Sequence, residues 1–458
     1  MAKLYRYVKL NDRFDTQVFT FLLPNRVVKE QFAHDIYSKD FTYGHQKWTV
    51  SFMKGEKHLG SYLKLRTVAA GMTCKLDYSF TMVNKDHFTK NESFIETGCD
   101  FTIENCIHGR KTFICLNELA VRNFMQENGE FLVELEMRNI ITSFECLLAL
   151  PKDNHLKPGY NNHIESTYFS FGLDDWGVSL YPFGDSGETE GKAVVHLHRH
   201  TSFDHLSHLR YQIFLGEEYE YDSNVLEETF DISGSGMGYV VGAPLHEVTQ
   251  GRSKMKIRVH MLSVTAVSEV ILEPITHGRN RAHFYDRDKQ AWLIESDLNG
   301  QTLSFRLYYT DISHVPRKFA RYVCWNINSV LPSGAKFKMG KGPHSKYFVQ
   351  QDLDEGFLVN TAIPVKEITH PESLYLDAEE RRMTIQIEWI ESLLLMGPTY
   401  HRLDDVSRIQ RHQMLREILA LQAENYALEK QLYSYQQSIG KKGTKNRYLR
   451  CGQEDEDG

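Results

Sequence analysis

Three segments of this chain repeat one succession of strand-like patterns, and that repetition limits the folds open to it. Each segment starts with a tryptophan in an alternating run: QKWTVSF (46–52), DDWGVSL (174–180) and QAWLIES (290–296). A shorter apolar pattern follows in each: YLKLR (62–66), VVHLHRH (194–200) and LSFRLYY (303–309). A longer strand pattern closes each: FLVELEM (131–137), KMKIRVHM (254–261) and RMTIQIEW (382–389). A succession that recurs about every 125 residues predicts repeated units of one fold.

The closing patterns alternate with a period of two, which is typical of strands buried on one face. In the first of them, Val133, Leu135 and Met137 fall on one face. The glutamates between them, Glu134 and Glu136, fall on the other face. Short strands of this kind, separated by turn residues, are typical of antiparallel β-sandwiches.

The sequence therefore predicts a mainly β protein that begins with three tandem antiparallel β-sandwiches. Their predicted extents are residues 1–150, 160–272 and 281–395. Proline, asparagine and glycine collect at the two junctions, residues 150–162 and 273–280, where the chain is expected to leave one unit for the next.

The first unit resembles a MATH domain, the sandwich that meprins share with TRAF proteins. The motifs that carry this resemblance follow the family's order: YSKDFTYGHQKWTVSF (37–52), GSYLKLR (60–66), KLDYSFTMVN (75–84), IHGRKTFICLNEL (107–119) and FLVELEM (131–137). The second unit keeps GMGYVVGAPL (236–245) at the turn position, and the third keeps only HSKYFVQQDL (344–353) there. The resemblance implies a MATH-like sandwich in each unit.

The resemblance also implies a site, because the family's sandwiches bind extended peptides by adding a strand. Carried over to this sequence, the peptide-binding positions fall on Tyr62, Tyr78, Phe101, His108 and Arg110. The first two are expected to point outward. His108 and Arg110 stand where the family has aromatic residues, and these two side chains would favour an acidic or phosphorylated peptide.

A plainer interpretation of the same residues stays open. Tyr62 and Tyr78 could form ordinary cross-strand pairs on a solvated face, with Arg110 a solubilising charge. In the second unit, Met237 and Tyr239 take the turn positions. In the third unit, Pro343 and Ser345 take them, which argues against a groove there.

Histidines alternate along one strand pattern of the second unit and raise the question of a metal site. His196, His198 and His200 share one face, and His205 and His208 follow. Zinc sites usually draw ligands from separate elements in a tetrahedral arrangement, so a solvated strand face is the favoured interpretation and no metal site is predicted.

Three further stretches fall short of known catalytic or phosphate-binding motifs. HEVTQ (246–250) lacks the second histidine of a zinc-protease helix. GAKFKMGKG (334–342) has the wrong glycine spacing for a P-loop, and GSGMGYVVG (234–242) leads into a strand rather than a helix. The sequence predicts no catalytic residue, no cofactor and no enzyme activity.

A different period begins near residue 403 and predicts a coiled coil over 403–439. Apolar residues recur there at heptad positions a and d, with Asn425 at one a position. The predicted seam comprises Met414, Ile418, Leu421, Asn425, Leu428, Leu432, Tyr435 and Ile439. A buried Asn favours a parallel homodimer, because the two amides satisfy each other only in that register. The alternative is a single helix docked on the third sandwich, and residues 440–458 are predicted to be a disordered tail.

Charge and cysteine usage narrow the functional classes. The net charge of −7 is spread along the chain and provides no basic face for nucleic acid. Charges are also mixed before the heptads, where a DNA-binding zipper needs a basic helix. No run of 18 apolar residues occurs, so no membrane span is predicted. The seven cysteines form no C-x-x-C pair, which indicates reduced thiols in a cytosolic or nuclear protein, and a cytoplasmic location is predicted.

These expectations together describe a non-catalytic adaptor or scaffold. Its sandwiches would bind protein or peptide partners, and its coiled coil would bring two copies together. One alternative is a cytoskeletal or centrosomal structural protein that assembles through the coil. Another is a substrate receptor of a ubiquitin ligase, by resemblance to adaptors that carry a MATH domain.

Overall fold

In a computed structural model the chain is mainly β-structure, as the sequence predicts. The structure describes residues 1–10, 12, 14–28, 35–127, 129–150, 163–201, 205–231, 234, 236, 238–249, 251–274, 279–353, 355–397, 418 and 421–436. The chain divides into two units, Met1–Pro398 and Thr399–Gly458.

The strands of Met1–Pro398 fall into three consecutive sections, each with a short α-helix before its last strand. The first section contains α1 (Leu116–Val121) and the strands β1 (Lys3–Lys9), β2 (Gln17–Pro24), β3 (Ile36–Tyr37), β4 (Phe41–Tyr43), β5 (Gln46–Lys54), β6 (His58–Leu65), β7 (Met72–Val83), β8 (Glu92–Phe101), β9 (Ile107–Cys115) and β10 (Glu130–Ala149). The second contains α2 (Leu245–Thr249), β11 (Ile164–Glu165), β12 (Phe169–Phe171), β13 (Asp174–Tyr181), β14 (Lys192–Arg199), β15 (Leu206–Leu215), β16 (Tyr221–Phe230), β17 (Tyr239–Pro244) and β18 (Lys254–Leu272). The third contains α3 (Val365–Thr369), β19 (Arg279–Tyr285), β20 (Ala291–Asp297), β21 (Thr302–Tyr309), β22 (Phe319–Val330), β23 (Lys336–Lys338), β24 (His344–Phe348), β25 (Phe357–Pro364) and β26 (Met383–Met396).

In the described residues these strands form one 12-stranded sheet and three smaller sheets, and every strand pair is antiparallel. The large sheet runs in the order β1-β2-β10-β18-β26-β22-β23, with β7, β8, β15, β16 and β24 paired beside this path. The small sheets run β3-β5-β6-β9, β11-β13-β14-β17 and β19-β20-β21-β25, and β4 and β12 add to the first two.

The tryptophan of each section joins its small sheet to the large one. Trp48, Trp176 and Trp292 are fully buried. Each meets a phenylalanine at the end of a large-sheet strand edge-to-face: the ring centroids of Trp48 and Phe101 are 5.0 Å apart, those of Trp176 and Phe230 5.0 Å, and those of Trp292 and Phe348 5.1 Å. This geometry is typical of favourable aromatic pairs. The repeat seen in the sequence is therefore present as a repeated packing contact between two layers.

The closing strands β10, β18 and β26 are longer than their sequence motifs and join the sections. Residues Thr142–Ala149 of β10 pair with Lys254–Met261 of β18. Residues Ala266–Leu272 of β18 pair in turn with Met383–Trp389 of β26. Because of this pairing, the three sections share one sheet within Met1–Pro398, and the borders predicted at 1–150, 160–272 and 281–395 stay predictions.

The turns that precede two of the tryptophan strands meet where the first and second sections touch. The backbone N–H of Gly172 donates to the carbonyl oxygen of His45 at 2.8 Å. The side-chain amide of Gln46 donates to the carbonyl oxygen of Ser170 at 3.2 Å. Burial, with a smaller effect from the Arg287 charge, lowers the pKa of His45 to about 4. The ring of His45 is therefore neutral at neutral pH.

Within the C-terminal part of the chain, Thr399–Gly458, residues 421–436 form a helix and Ile418 is also helical. The helix carries the predicted seam residues Leu421, Asn425, Leu428, Leu432 and Tyr435, all exposed. A coiled coil is not shown, and Met414 and Ile439 lie outside the described residues, as do residues 440–458. Within the described part of the chain, no helix combines the length and apolar character needed to cross a membrane.

Candidate peptide-binding edges

Two of the five predicted peptide-binding residues lie in the core. Tyr78 and Phe101 are 1% and 0% exposed, so the expectation that Tyr78 points outward is wrong. Tyr78 shares a face of β7 with Phe80, and its ring contacts Phe80, Phe94 and Phe101 at centroid distances of 5.9 to 6.4 Å. Burial raises the pKa of its hydroxyl. The apolar alternation of LDYSFTMV (76–83) already indicates this inward face.

Tyr62 lies on the outer face of the small sheet. Its strand neighbour Leu63 is fully buried, whereas Tyr62 is partly exposed. Its ring lies over Gly109 of β9, where an added Cβ would come within 2.7 Å of the Tyr62 Cδ1 atom. A glycine at this position leaves the space that the ring occupies. Tyr62 is therefore separated from Tyr78 and Phe101 by the thickness of the small sheet.

His108 and Arg110 lie on β9 and connect it to β8. The His108 Nε2 atom is 2.9 Å from the carbonyl oxygen of Asp100, and its ring packs on Phe101 at 4.5 Å. The Arg110 Nε atom donates to Glu96 Oε1 at 2.7 Å, and its guanidinium lies 4.8 Å from the centre of the Phe94 ring. Both side chains therefore link the edge of the large sheet to the edge of the small one.

These two strands are unpaired on their outer sides. Among the described strands, β8 pairs with β7 alone and β9 pairs with β6 alone. An unpaired strand presents backbone N–H and C=O groups to which another chain can add. Each strand also carries an exposed isoleucine, Ile95 on β8 and Ile107 on β9. We call this pair of strands the β8–β9 edge.

The same arrangement recurs in the other two sections. Among the described strands, β16 pairs only with β15 and β17 only with β14. Likewise β24 pairs only with β22 and β25 only with β21. Each of these strands also has an exposed apolar residue: Val225, Val240, Tyr347 and Leu358. We call these pairs the β16–β17 edge and the β24–β25 edge.

His196, His198 and His200 lie on one face of the second section, as their alternation predicts, but the His196 side chain is only 12% exposed, so this face is not fully solvated. The rings of His196 and His198 stack at 5.7 Å on β14. His196 Nε2 lies 2.6 Å from Asp185 Oδ2. Burial, then the charges of His196 and His200, lower the pKa of His198 to about 4. Within the described residues, no three His, Cys, Asp or Glu side chains are grouped so that they could hold a metal ion.

Sequence reasoning did not find the three edges as a set. Exposed apolar residues such as Ile95 are visible as breaks in a polar face, but the sequence does not say which strands lack a partner. No family model matches the chain, and a search of the curated proteins finds no match to it. The MATH-like identity of the sections and the peptide-binding role of the five residues stay predictions.

Proposed function

We propose that the chain is a non-catalytic scaffold that binds extended segments of partner proteins at its sheet edges. The observation that supports this most strongly is that each of the three sections has two strands with an unpaired edge and an exposed apolar side chain. Backbone groups of such an edge provide affinity by strand addition, and the side chains beside it provide specificity. Exposed apolar residues on an unpaired edge favour association, and proteins usually avoid them there.

The contacts of the β8–β9 edge favour apolar over phosphorylated ligands. Arg110 already pairs with Glu96 at 2.7 Å, so an acidic or phosphorylated group would have to displace that carboxylate. The side chains of Ile95 and Ile107 are exposed, whereas the carbonyl oxygen of Ile95 accepts a hydrogen bond from Arg110 Nη2 at 3.4 Å. We therefore expect the bound segments to present alternating apolar side chains, with Arg110 and Glu96 flanking them.

The proposal includes MATH-like sandwiches in the three sections and dimerisation through the C-terminal helix in the cytoplasm. Leu421, Leu428 and Leu432 are exposed on that helix, which supports a partner helix covering them. Two chains would present six edges, and linked sites bind a multivalent partner about 100-fold or more tighter than one site does. A cytoskeletal structural protein or a ubiquitin-ligase receptor would use the same edges and remains the alternative.

The edge proposal is tested by selecting binders from a phage-displayed library of random twelve-residue peptides. We expect the enriched peptides to alternate apolar residues. For peptides that bind the β8–β9 edge, the double variant Ile95→Lys with Ile107→Lys should raise the Kd at least about tenfold. Ile141→Lys is the matched control: Ile141 is 54% exposed against 50% for Ile95, but it pairs with Lys75 of β7, and β10 pairs with β18 from Thr142 onward. Peptides that bind every edge variant as tightly as the wild type, or a library without enrichment, would contradict the proposal.

The dimer is tested by light scattering on the full chain. We expect twice the 53.3 kDa mass of one chain, and a single-chain mass for Leu421→Lys with Leu428→Lys. Tyr426→Lys is the control, because Tyr426 is also exposed on the same helix, at 69% against 47% for Leu421 and 55% for Leu428, but lies outside the predicted seam. A single-chain mass for the wild type would overturn the dimer and leave the edges unaffected.

A further inference from the structure

The junction between the third and first sections differs from the other two junctions. Closing strands pair directly where β10 meets β18 and where β18 meets β26. The second half of β26, Glu391–Met396, instead pairs with β22 alone among the described strands. The neighbouring strand of the first section, β1, pairs with β2 alone. Two unpaired strand edges therefore remain at this junction.

These two edges approach each other at one end, and a cavity lined by residues of both strands lies at the other. Near the close end, the rings of Tyr7 on β1 and Tyr322 on β22 are 5.9 Å apart, and Gln17 Nε2 donates to Glu391 Oε1 at 3.4 Å. At the other end, Leu4 of β1 and Leu394 of β26 line a cavity of about 300 Å³. This volume lies at the lower end of the range for ligand pockets. We call this cavity the β1–β26 groove.

Both apolar and charged side chains line the β1–β26 groove. The apolar lining includes Leu4, Phe41, Leu173, Phe319, Leu393 and Leu394. The charged lining comprises Lys3, Lys39, Lys47, Arg321, Asp40 and Asp288. Cations therefore outnumber carboxylates in this lining.

The two aspartates are already neutralised by arginines and Lys3 pairs with Glu130 at 4.0 Å, which leaves Lys39 and Lys47 in excess. Asp288 Oδ2 is 2.7 Å from Arg321 Nη2, and Asp40 Oδ1 is 3.4 Å from Arg66 Nε. Within the described residues, Lys39 and Lys47 have no carboxylate partner. The Lys39 ammonium instead lies 5.8 Å from the centre of the ring of Phe319, which also lines the groove. The lining is therefore complementary to negative charge.

We infer that the β1–β26 groove binds an acidic, extended segment of a partner protein. The segment adds as a strand to the unpaired edge of Glu391–Met396, its apolar side chains enter the cavity, and its carboxylates pair with Lys39 and Lys47. At the other two junctions a strand from the next section occupies the equivalent position. This site is separate from the three edges of the proposed function and does not depend on them.

The probe is a fluorescein-labelled peptide, Glu-Leu-Glu-Val-Glu-Leu-Glu, titrated with the full chain and followed by anisotropy. We expect saturable binding below about 100 μM, at least about tenfold weaker binding of the Lys-Leu-Lys-Val-Lys-Leu-Lys analogue, and a similar loss when proline replaces the central valine. Lys39→Glu with Lys47→Glu should weaken binding of the acidic peptide at least about tenfold. Lys57→Glu with Lys366→Glu makes the same charge change at exposed sites outside the groove and should change it less than about twofold.

Hydrogen exchange locates the bound peptide and separates this inference from the proposed function. We expect added protection in residues 391–396 and in β1, and none in β8 or β9. Protection confined to β8, β9 or the other edges would overturn the inference while supporting the edge proposal. Equal affinity for the acidic and basic peptides, equal affinity of the two double variants, or no binding at 1 mM peptide would also overturn it. Failure of the library selection would leave these results intact.

Discussion

Replacing Asp174 by alanine should lower the free energy of unfolding by about 3–5 kcal/mol, because it breaks a buried ion pair. The carboxylate is 1% exposed and lies 3.1 Å from the guanidinium of Arg199, which is fully buried. His205 and the hydroxyl of Ser207 also contact the carboxylate. Burial alone would raise the pKa of Asp174, but the hydrogen bond from His205 and the charge of Arg199 hold it below its ordinary value. The alanine variant would keep a buried cation after losing the carboxylate that faces it.

The measurement is urea unfolding followed by tryptophan fluorescence, with Asp175→Ala as the control. Asp175 is the next residue, is exposed, and accepts a hydrogen bond from the Ser170 hydroxyl at 2.6 Å. Its loss should cost less than about 1 kcal/mol. Combining Asp174→Ala with Arg199→Met should restore part of the stability, because it removes both buried charges. Equal midpoints for Asp174→Ala and Asp175→Ala would show that the ion pair is not a main support of the second section.

The strands that the sequence predicts well are those whose pattern is local. The alternating apolar residues around Trp48, Trp176 and Trp292 are buried in β5, β13 and β20, as their patterns predict, although polar residues between them, such as Ser51 and Glu295, are buried too. Side-chain direction in a strand reverses at each residue, so a few consecutive residues suffice to assign the buried face. The same rule applied to β7 would have placed Tyr78 in the core.

The sequence pattern does not predict the buried face in the second halves of the closing strands β10, β18 and β26, because a bulge interrupts each pattern. In β10 the register against β7 shifts between Arg138 and Ile141, and Asn139 has a φ of +55°. The buried face moves from Met137 and the odd positions before it to Phe144 and other even positions. An inserted residue reverses which side chains point inward, so the alternation read before the bulge does not continue. The strand register likewise shifts by one residue at Leu262, where β18 pairs with β15, and at Ile390, where β26 pairs with β22.

The candidate sites were still less accessible from sequence, because they depend on which strands lack a partner. Ile95 and Ile107 are exposed on edge strands, whereas Ile141 is equally exposed on a strand with two neighbours. Their local sequences do not distinguish these situations. The β1–β26 groove likewise depends on residues more than 300 positions apart, such as Leu4 and Leu394. Pairing over such separations is set by the whole fold.

Gly172→Ala should lower the free energy of unfolding by about 2–5 kcal/mol, through two separate costs. Gly172 has a φ of +67°, a conformation that costs an L-residue about 1–2 kcal/mol. An added Cβ would also lie 2.0 Å from Val264 Cγ1 and 3.1 Å from Val264 Cβ. Valine is branched at Cβ and cannot rotate away cheaply, so crowding adds about 1–3 kcal/mol.

Gly191→Ala separates the two costs, because Gly191 has a φ of +78° with no atom within 4 Å of an added Cβ. We expect it to lose only the conformational part, about 1–2 kcal/mol, in the same urea titration. Adding Val264→Ala should lessen the extra loss of Gly172→Ala, since the shorter side chain makes room for the methyl group. If Gly172→Ala and Gly191→Ala unfold at the same urea concentration, the close packing of this turn against β18 contributes nothing to stability. A larger loss at Gly172 that Val264→Ala reduces would instead assign the difference to that one contact, at the turn where the first and second sections meet.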